Sequence, residues 1–172
     1  LAGEEVEQVV KKIKGKEGSM VKITVYREGE HDYLEFDTAR QMVENPTVEY
    51  RMLADDIGYI SVASFYDVTA DQYKAAVEDL KSQGMKGLIV DLRDNPGGLL
   101  TTVVDMLDYM LPEGKLVYTE DKDGNILEEF DSTDEEQFTL PLVVMINENS
   151  ASASEIYAGA IKDYGAGKLV GI

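Results

Sequence analysis

The chain has 172 residues, 44% of them hydrophobic, enough for one sizeable core and a small appendage. Its 34 acidic residues against 16 basic ones leave a formal charge of −18, which repels phosphate backbones and anionic headgroups and argues against nucleic-acid and membrane-surface binding. With no cysteine there is no disulfide framework, thiolate nucleophile or cysteine zinc site, and no apolar run approaches the roughly 20 residues of a membrane span.

Residues 4–14 place Val6, Val9, Val10 and Ile13 on one helical stripe, with acid at the start and lysine at the end as the helix dipole prefers. Gly15 and Gly18 break this helix. Two runs with partial period-two alternation follow, MVKITVYR and HDYLEFDTAR, and the turn-prone Glu28-Gly29-Glu30 between them predicts a hairpin. One helix and one hairpin are too little for a core, so this region reads as part of a small domain whose beginning is missing, and Leu1 reads as the start of an excised piece. Proline in Glu44-Asn45-Pro46 marks the boundary.

From Ile57 the pattern changes to strand, helix, strand, helix. IGYISVASF is followed by a helix opened by Thr69 with Gln72 three residues later, then by GLIVDL and LLTTVVDMLDYML. This alternation predicts an α/β core with parallel pairing. Residues 115–130 read as a surface hairpin turning at Asp121-Lys-Asp-Gly-Asn125, PLVVMI from Pro141 as a buried strand, ASASEIYAGAIKDYG as a helix, and KLVGI as the opening of another strand. The acid clusters, among them Asp134-Glu135-Glu136, read as solvated faces.

Three motifs carry no chemistry. His31, the only histidine, sits in the polar hairpin and disfavours a Ser-His-Asp hydrolase. Asp121, Asp123 and Asn125 resemble the start of a calcium loop, but the glycine comes early at 124 and position twelve is Ser132, so no metal site is expected. Gly165-Ala-Gly167 lies between a helix and a strand, the reverse of a dinucleotide loop.

Two segments remain. Asp91-Leu-Arg-Asp-Asn-Pro-Gly-Gly98 follows an apolar strand and enters a helix; glycines there leave backbone N–H groups unshielded at a helix start, as an oxyanion hole requires. Spacing alone fits a tight turn as well. Ser150-Ala-Ser-Ala-Ser154-Glu155 lies again between a buried strand and a helix, where Ser152 with Glu155 also fits a capping box.

Together, in order and context, the Asp91–Gly98 run and the Asn149–Ile156 run resemble the two signature segments of carboxyl-terminal processing (tail-specific) proteases. The opening helix, Lys14-Gly-Lys-Glu-Gly18 and Val21-Lys-Ile-Thr-Val25 resemble the second half of that family's PDZ domain. The resemblance implies a crotonase/ClpP-like α/β strand-helix core over residues 43–172 with a partial PDZ domain over 1–42. It implies a serine endopeptidase of the serine–lysine type cutting protein substrates near their carboxyl termini, with Ser152 as nucleophile. Backbone amides of Ala153 and of Gly97 or Gly98, which sequence does not separate, would form the oxyanion hole.

A desolvated lysine would be the base, since no histidine is at hand. The family's lysine lies about two dozen residues past the serine. This chain ends at Ile172, and Lys162 and Lys168 do not match that place, so the polypeptide is expected to hydrolyse little or nothing. Of the PDZ peptide groove only the helix side, Val6, Val9, Val10 and Ile13, is present, so tail capture is expected to be weak unless chains exchange elements or form homo-oligomers.

No cofactor is expected. The alternatives are a non-catalytic module that binds peptide tails, and an acyl-CoA enzyme of crotonase type, for which the sequence offers no basic site for CoA phosphates. The family implies a parent that is extracytoplasmic or membrane-associated, with this piece itself soluble.

Overall fold

The computed structural model describes residues 3–42, 45–133 and 137–172, so the acidic run at 134–136 and Glu44 of the boundary tripeptide lie outside the described residues. Two compact units divide the chain, Leu1–Asn45 and Pro46–Ile172.

In the first unit, α1 (Val6–Ile13) precedes an antiparallel hairpin of β1 (Met20–Val25) and β2 (Leu34–Ala39), in register from Met20 opposite Ala39 to Val25 opposite Leu34. Arg40 ties the helix to the hairpin. Its guanidinium donates to the Ile13 carbonyl at 2.7 Å and the Met20 carbonyl at 2.9 Å, satisfying a helix-end acceptor with positive charge where the dipole favours it.

The second unit is a mixed α/β structure. Its five-stranded sheet has the order β3 (Val48–Met52), β4 (Ile57–Val62), β5 (Gly87–Asp91), β8 (Leu142–Ile146), β9 (Lys168–Gly171). The pairs from β4 onward are parallel, as the alternating pattern predicts, and β3 adds an antiparallel edge strand that the sequence reading did not resolve. In VEYRM the apolar Val48, Tyr50 and Met52 alternate with the charged Glu49 and Arg51, but the run is short and only Val48 is buried. The crossovers carry α2 (Thr69–Ser82), α3 (Leu100–Met110) and α4 (Ala153–Asp163).

The strand order never reverses, and crossovers of one hand then send the helices to one face of the sheet. Accordingly α2 packs on β3 and β4, and α4 on β8 and β9. That face buries Ile60, Val62, Leu88, Val90, Leu142 and Val144, every second residue along three strands. Across the helices, α3 joins α2 and α4, and the antiparallel hairpin of β6 (Gly114–Glu120) and β7 (Ile126–Ser132) packs on α3.

One local reading is corrected. Thr69 does not cap α2, because Val68 holds the cap position; Thr69 is fully buried and its hydroxyl accepts the Tyr66 N–H and donates to the Ser64 carbonyl. Gln72, expected to reach back to that cap, instead accepts the Thr47 N–H. Asp121 takes the N–H groups of Asp123 and Asn125 at 2.8 and 2.9 Å, closing a turn between β6 and β7. Among the described residues no helix is long and apolar enough to cross a membrane.

Candidate active site

Carboxyl ends of parallel strands are where open α/β sheets place their sites, because loops converge there above helix N-termini. Here the ends of β5 and β8, adjacent in the sheet, release the two segments singled out by sequence.

The first begins at Asp91, whose side chain is 6% exposed. Its carboxylate accepts the Tyr59 hydroxyl at 2.6 Å, Arg93 Nε at 2.9 Å and Nη2 at 2.7 Å, and the Arg93 N–H at 3.1 Å. Burial pushes this carboxyl up, but those donors outweigh it and hold it at about 2. Asn95 is fully buried and is the hub of the turn. Its Nδ2 donates to the Val62 carbonyl, its Oδ1 accepts the Gly97 N–H at 2.9 Å, and its carbonyl accepts the Ala151 N–H and the Ser154 hydroxyl.

The two glycines are required for separate reasons. Gly97 (φ +102) packs so closely on the second segment that a Cβ would lie 2.8 Å from both the Ala151 carbonyl and Ser152 Cβ. Gly98 (φ +152) lies in a parallel bridge to Phe65, and its Cβ would collide with the Phe65 carbonyl.

The second segment ends in Ser152, exposed at the mouth of α4, with φ +54 and ψ −116. A serine seldom adopts that conformation, and a strained serine on a strand-to-helix turn is the geometry of a nucleophile elbow. Ser152 and Glu155 stand in the capping-box arrangement read from the sequence. Glu155 accepts the Ser152 N–H at 2.7 Å, and the Glu155 N–H also reaches the Ser152 carbonyl at 2.9 Å.

Of the amides singled out, Gly97 N–H is committed to Asn95. Among the described residues the N–H groups of Gly98 and Ala153 have no acceptor. They flank the Gly97–Ser152 contact, and Ala153 N would lie 3.0 Å from a Cβ on Gly97.

Lysine is distant. Lys162 is exposed in the last turn of α4, ten residues or about 15 Å along the helix from Ser152. Lys168 starts β9 opposite Val143, about 10 Å below the strand ends. The far end of β9 lies beside the site, with Gly171 in register with Ile146.

In the first unit Val6 and Val10 line a shallow groove of about 560 Å³ with Glu7, Lys11, Lys14 and Gly15. Val6 is 76% and Ile13 40% exposed. Ile13 faces a second hollow with Val21 and Ile23, and Val9 is half-buried and lines neither. His31 lies exposed between β1 and β2.

Sequence reasoning passed over Asp94 and Asn147 as individuals. Asp94 Oδ1 accepts Asn147 Nδ2 at 3.0 Å and Asn149 Nδ2 at 2.7 Å, and Asn147 Oδ1 accepts the Asp94 N–H at 2.9 Å. Asn149, then Asn147, holds the Asp94 carboxyl below the usual range. Only the repeated asparagine in Asn147-Glu-Asn149, just ahead of the serines, hinted at this tie.

The strand-turn-helix serine facing a glycine turn defines a class of hydrolase-like α/β sites, and comparison with known proteins identifies which. Residues 56–172 match peptidase family S41, and the chain belongs to that family. It is 33% identical over 180 residues to a carboxy-terminal-processing protease of Bartonella bacilliformis, covering 99% of this chain and 40% of that protein. A probable CtpA-like serine protease of Staphylococcus aureus is 33% identical over 173 residues, covering 99% of this chain and 34% of that protein. The structure of a photosystem II D1 C-terminal processing protease aligns at 28% identity with a TM-score of 0.67, covering 97% of this chain and 47% of that one. The chain thus spans less than half the length of these relatives.

Proposed function

We propose that this chain carries the nucleophile and oxyanion hole of a serine–lysine endopeptidase that cleaves proteins near their carboxyl termini. The carrying observation is the exposed, strained Ser152 beside two acceptor-free amides, Gly98 N–H and Ala153 N–H. Ser152 Oγ attacks the scissile carbonyl carbon and its proton passes to a base. The carbonyl oxygen, now negative, accepts hydrogen bonds from Gly98 and Ala153; the base returns its proton to the scissile nitrogen as the C–N bond breaks, releasing the amine and leaving an acyl-serine for water to hydrolyse. Gly98, rather than Gly97, is the glycine donor, since Gly97 N–H is held by Asn95.

The base is a lysine outside these 172 residues. Gly171 stands beside Ile146, so the far end of β9 borders the site. Residues 1–42 are the later part of a PDZ domain, with Val6, Val9, Val10 and Ile13 as one wall of a tail-binding groove, and residues 43–172 are the peptidase core. Substrates are protein carboxyl termini, as the names of the relatives suggest, and the parent acts outside the cytoplasm or at its membrane. Neither Lys162 nor Lys168 reaches Ser152.

The test is made on this polypeptide and its Ser152→Ala variant. A peptide aldehyde, to which serine adds through Oγ, is expected to form an adduct with the first and none with the second, while neither cleaves a carboxyl-terminal peptide. Adduct formation that survives Ser152→Ala overturns the nucleophile assignment. Cleavage lost in Ser152→Ala overturns the claim that the base lies elsewhere.

A further inference from the structure

Two loops separated by more than fifty residues must meet for the proposed chemistry, and each is held in backbone conformations that side chains seldom adopt: Asp94 at φ +60, Gly97, Gly98, and Ser152 at φ +54. Such geometry persists only when the surroundings over-determine it.

Four bonds across the gap involve buried or partly buried groups. The Asn95 carbonyl takes the Ala151 N–H at 3.1 Å and the Ser154 hydroxyl at 2.9 Å, Ser150 Oγ donates to the Leu92 carbonyl at 2.7 Å, and Leu92 N–H reaches the Met145 carbonyl at 2.9 Å. These fix the floor of the site. At its rim the loops are joined through the Asp94 carboxylate, where a single oxygen, Oδ1, collects both asparagine amides while Asn147 Oδ1 returns a bond to the Asp94 N–H. Asn147 Oδ1 also accepts the Asn149 N–H at 3.2 Å, so the two asparagines are locked to each other as well. Charge-assisted bonds of this kind are about twice as strong as neutral ones.

We propose that Asp94 is a positioning residue for the reaction: its carboxylate clamps Asn147 and Asn149, and so holds the strained Ser152 elbow at the distance where Gly98 N–H and Ala153 N–H converge on one oxygen. Asp94 touches no reacting atom and acts through the two loops. The inference rests on Ser152 being the nucleophile. Because both accepted bonds end on one oxygen, an amide oxygen at the same place can take them, whereas a methyl group cannot. Asp94→Asn should therefore rescue what Asp94→Ala loses.

The experiment compares the polypeptide with its Asp94→Ala, Asp94→Asn and Ser152→Ala variants in two measurements. Amide hydrogen exchange is expected to accelerate about ten-fold or more at the bonded amides of Gly97, Leu99, Ala151, Ser152 and Ser154 in Asp94→Ala, with β5 and α2 unchanged, and to return near the parent's values in Asp94→Asn. The affinity of acetyl-Ala-Ala-alaninal, whose serine adduct presents an oxygen to the two amides, is expected to fall about ten-fold or more in Asp94→Ala and to recover in Asp94→Asn. The affinity of the corresponding amide peptide is expected not to change.

Should Asp94→Ala fail to fold, Asn149→Ala removes one donor from an exposed position and is expected to shift both measurements in the same direction. An aldehyde affinity that Ser152→Ala lowers but Asp94→Ala leaves intact overturns the inference alone. Equal aldehyde affinity in the parent and Ser152→Ala overturns the nucleophile reading and the inference with it. Asp94→Asn as loose as Asp94→Ala overturns the clamp.

Discussion

The two units of this chain place their apolar residues in opposite ways. Among the described residues of the first unit none is buried, and Val6, Val10, Ile13, Met20 and Phe36 are all exposed. In the second unit Ile60, Tyr73, Leu80, Val90, Met106, Tyr157 and Ile161 are fully buried, and Tyr73 and Tyr157 pair their hydroxyls at 2.8 Å inside the core. Two strands and a short helix close little volume, so the first unit is held by backbone pairing and by Arg40, whereas helices stacked on a five-stranded sheet exclude water from a continuous interior. Strained geometry such as that of Ser152 can be held only on the second kind of support.

Paired substitutions test that contrast. The most severe steric difference is expected between two glycines. Gly98→Ala forces a Cβ into the Phe65 carbonyl and should cost about 3 kcal/mol or more, whereas Gly29→Ala meets no atom within 4 Å and should cost only about 1–2 kcal/mol for its left-handed backbone. Denaturant midpoints followed by circular dichroism measure both, and equal losses would contradict the contrast. Next come two aliphatic truncations. Ile161→Ala empties part of a fully buried site and should cost about 2–5 kcal/mol, against less than about 0.5 kcal/mol for the exposed Val10→Ala.

The smallest effect is electrostatic. The Asp91 carboxyl is depressed from 3.8 to about 2, so its stabilisation is complete above its unfolded value and fades as the pH falls from about 4 towards 2. The first unit's ion pairs, Glu4 with Lys12 and Lys22 with Glu35, are solvent-exposed and should contribute little at any pH. Unfolding measured across that range is expected to flatten in Asp91→Asn. An unchanged slope would mean that the Tyr59–Asp91–Arg93 network is idle.

Much of this was legible beforehand. Periodicity located α1 to α4 and the four parallel strands, and turn residues between alternating runs located both hairpins. It missed β3, whose side chains are mostly exposed, and assigned Thr69 to a cap although its hydroxyl serves buried partners. The two segments stood out as a glycine pair and a serine run at strand-to-helix turns, but a tight turn and a capping box fitted them equally well, and only their joint resemblance to tail-specific proteases marked them as a site.

By itself, then, the sequence singled out candidate residues, Ser152 and the Gly97-Gly98 turn, and the element that would present each. The tertiary structure decided which backbone groups are available. Gly97 N–H is consumed by Asn95 and Gly98 N–H is left open, and Asp94 is tied to asparagines more than fifty residues away. Composition and spacing record a residue's type and neighbours along the chain, but a hydrogen bond depends on distances of about 3 Å across it, which exist only once the strands have brought the loops together.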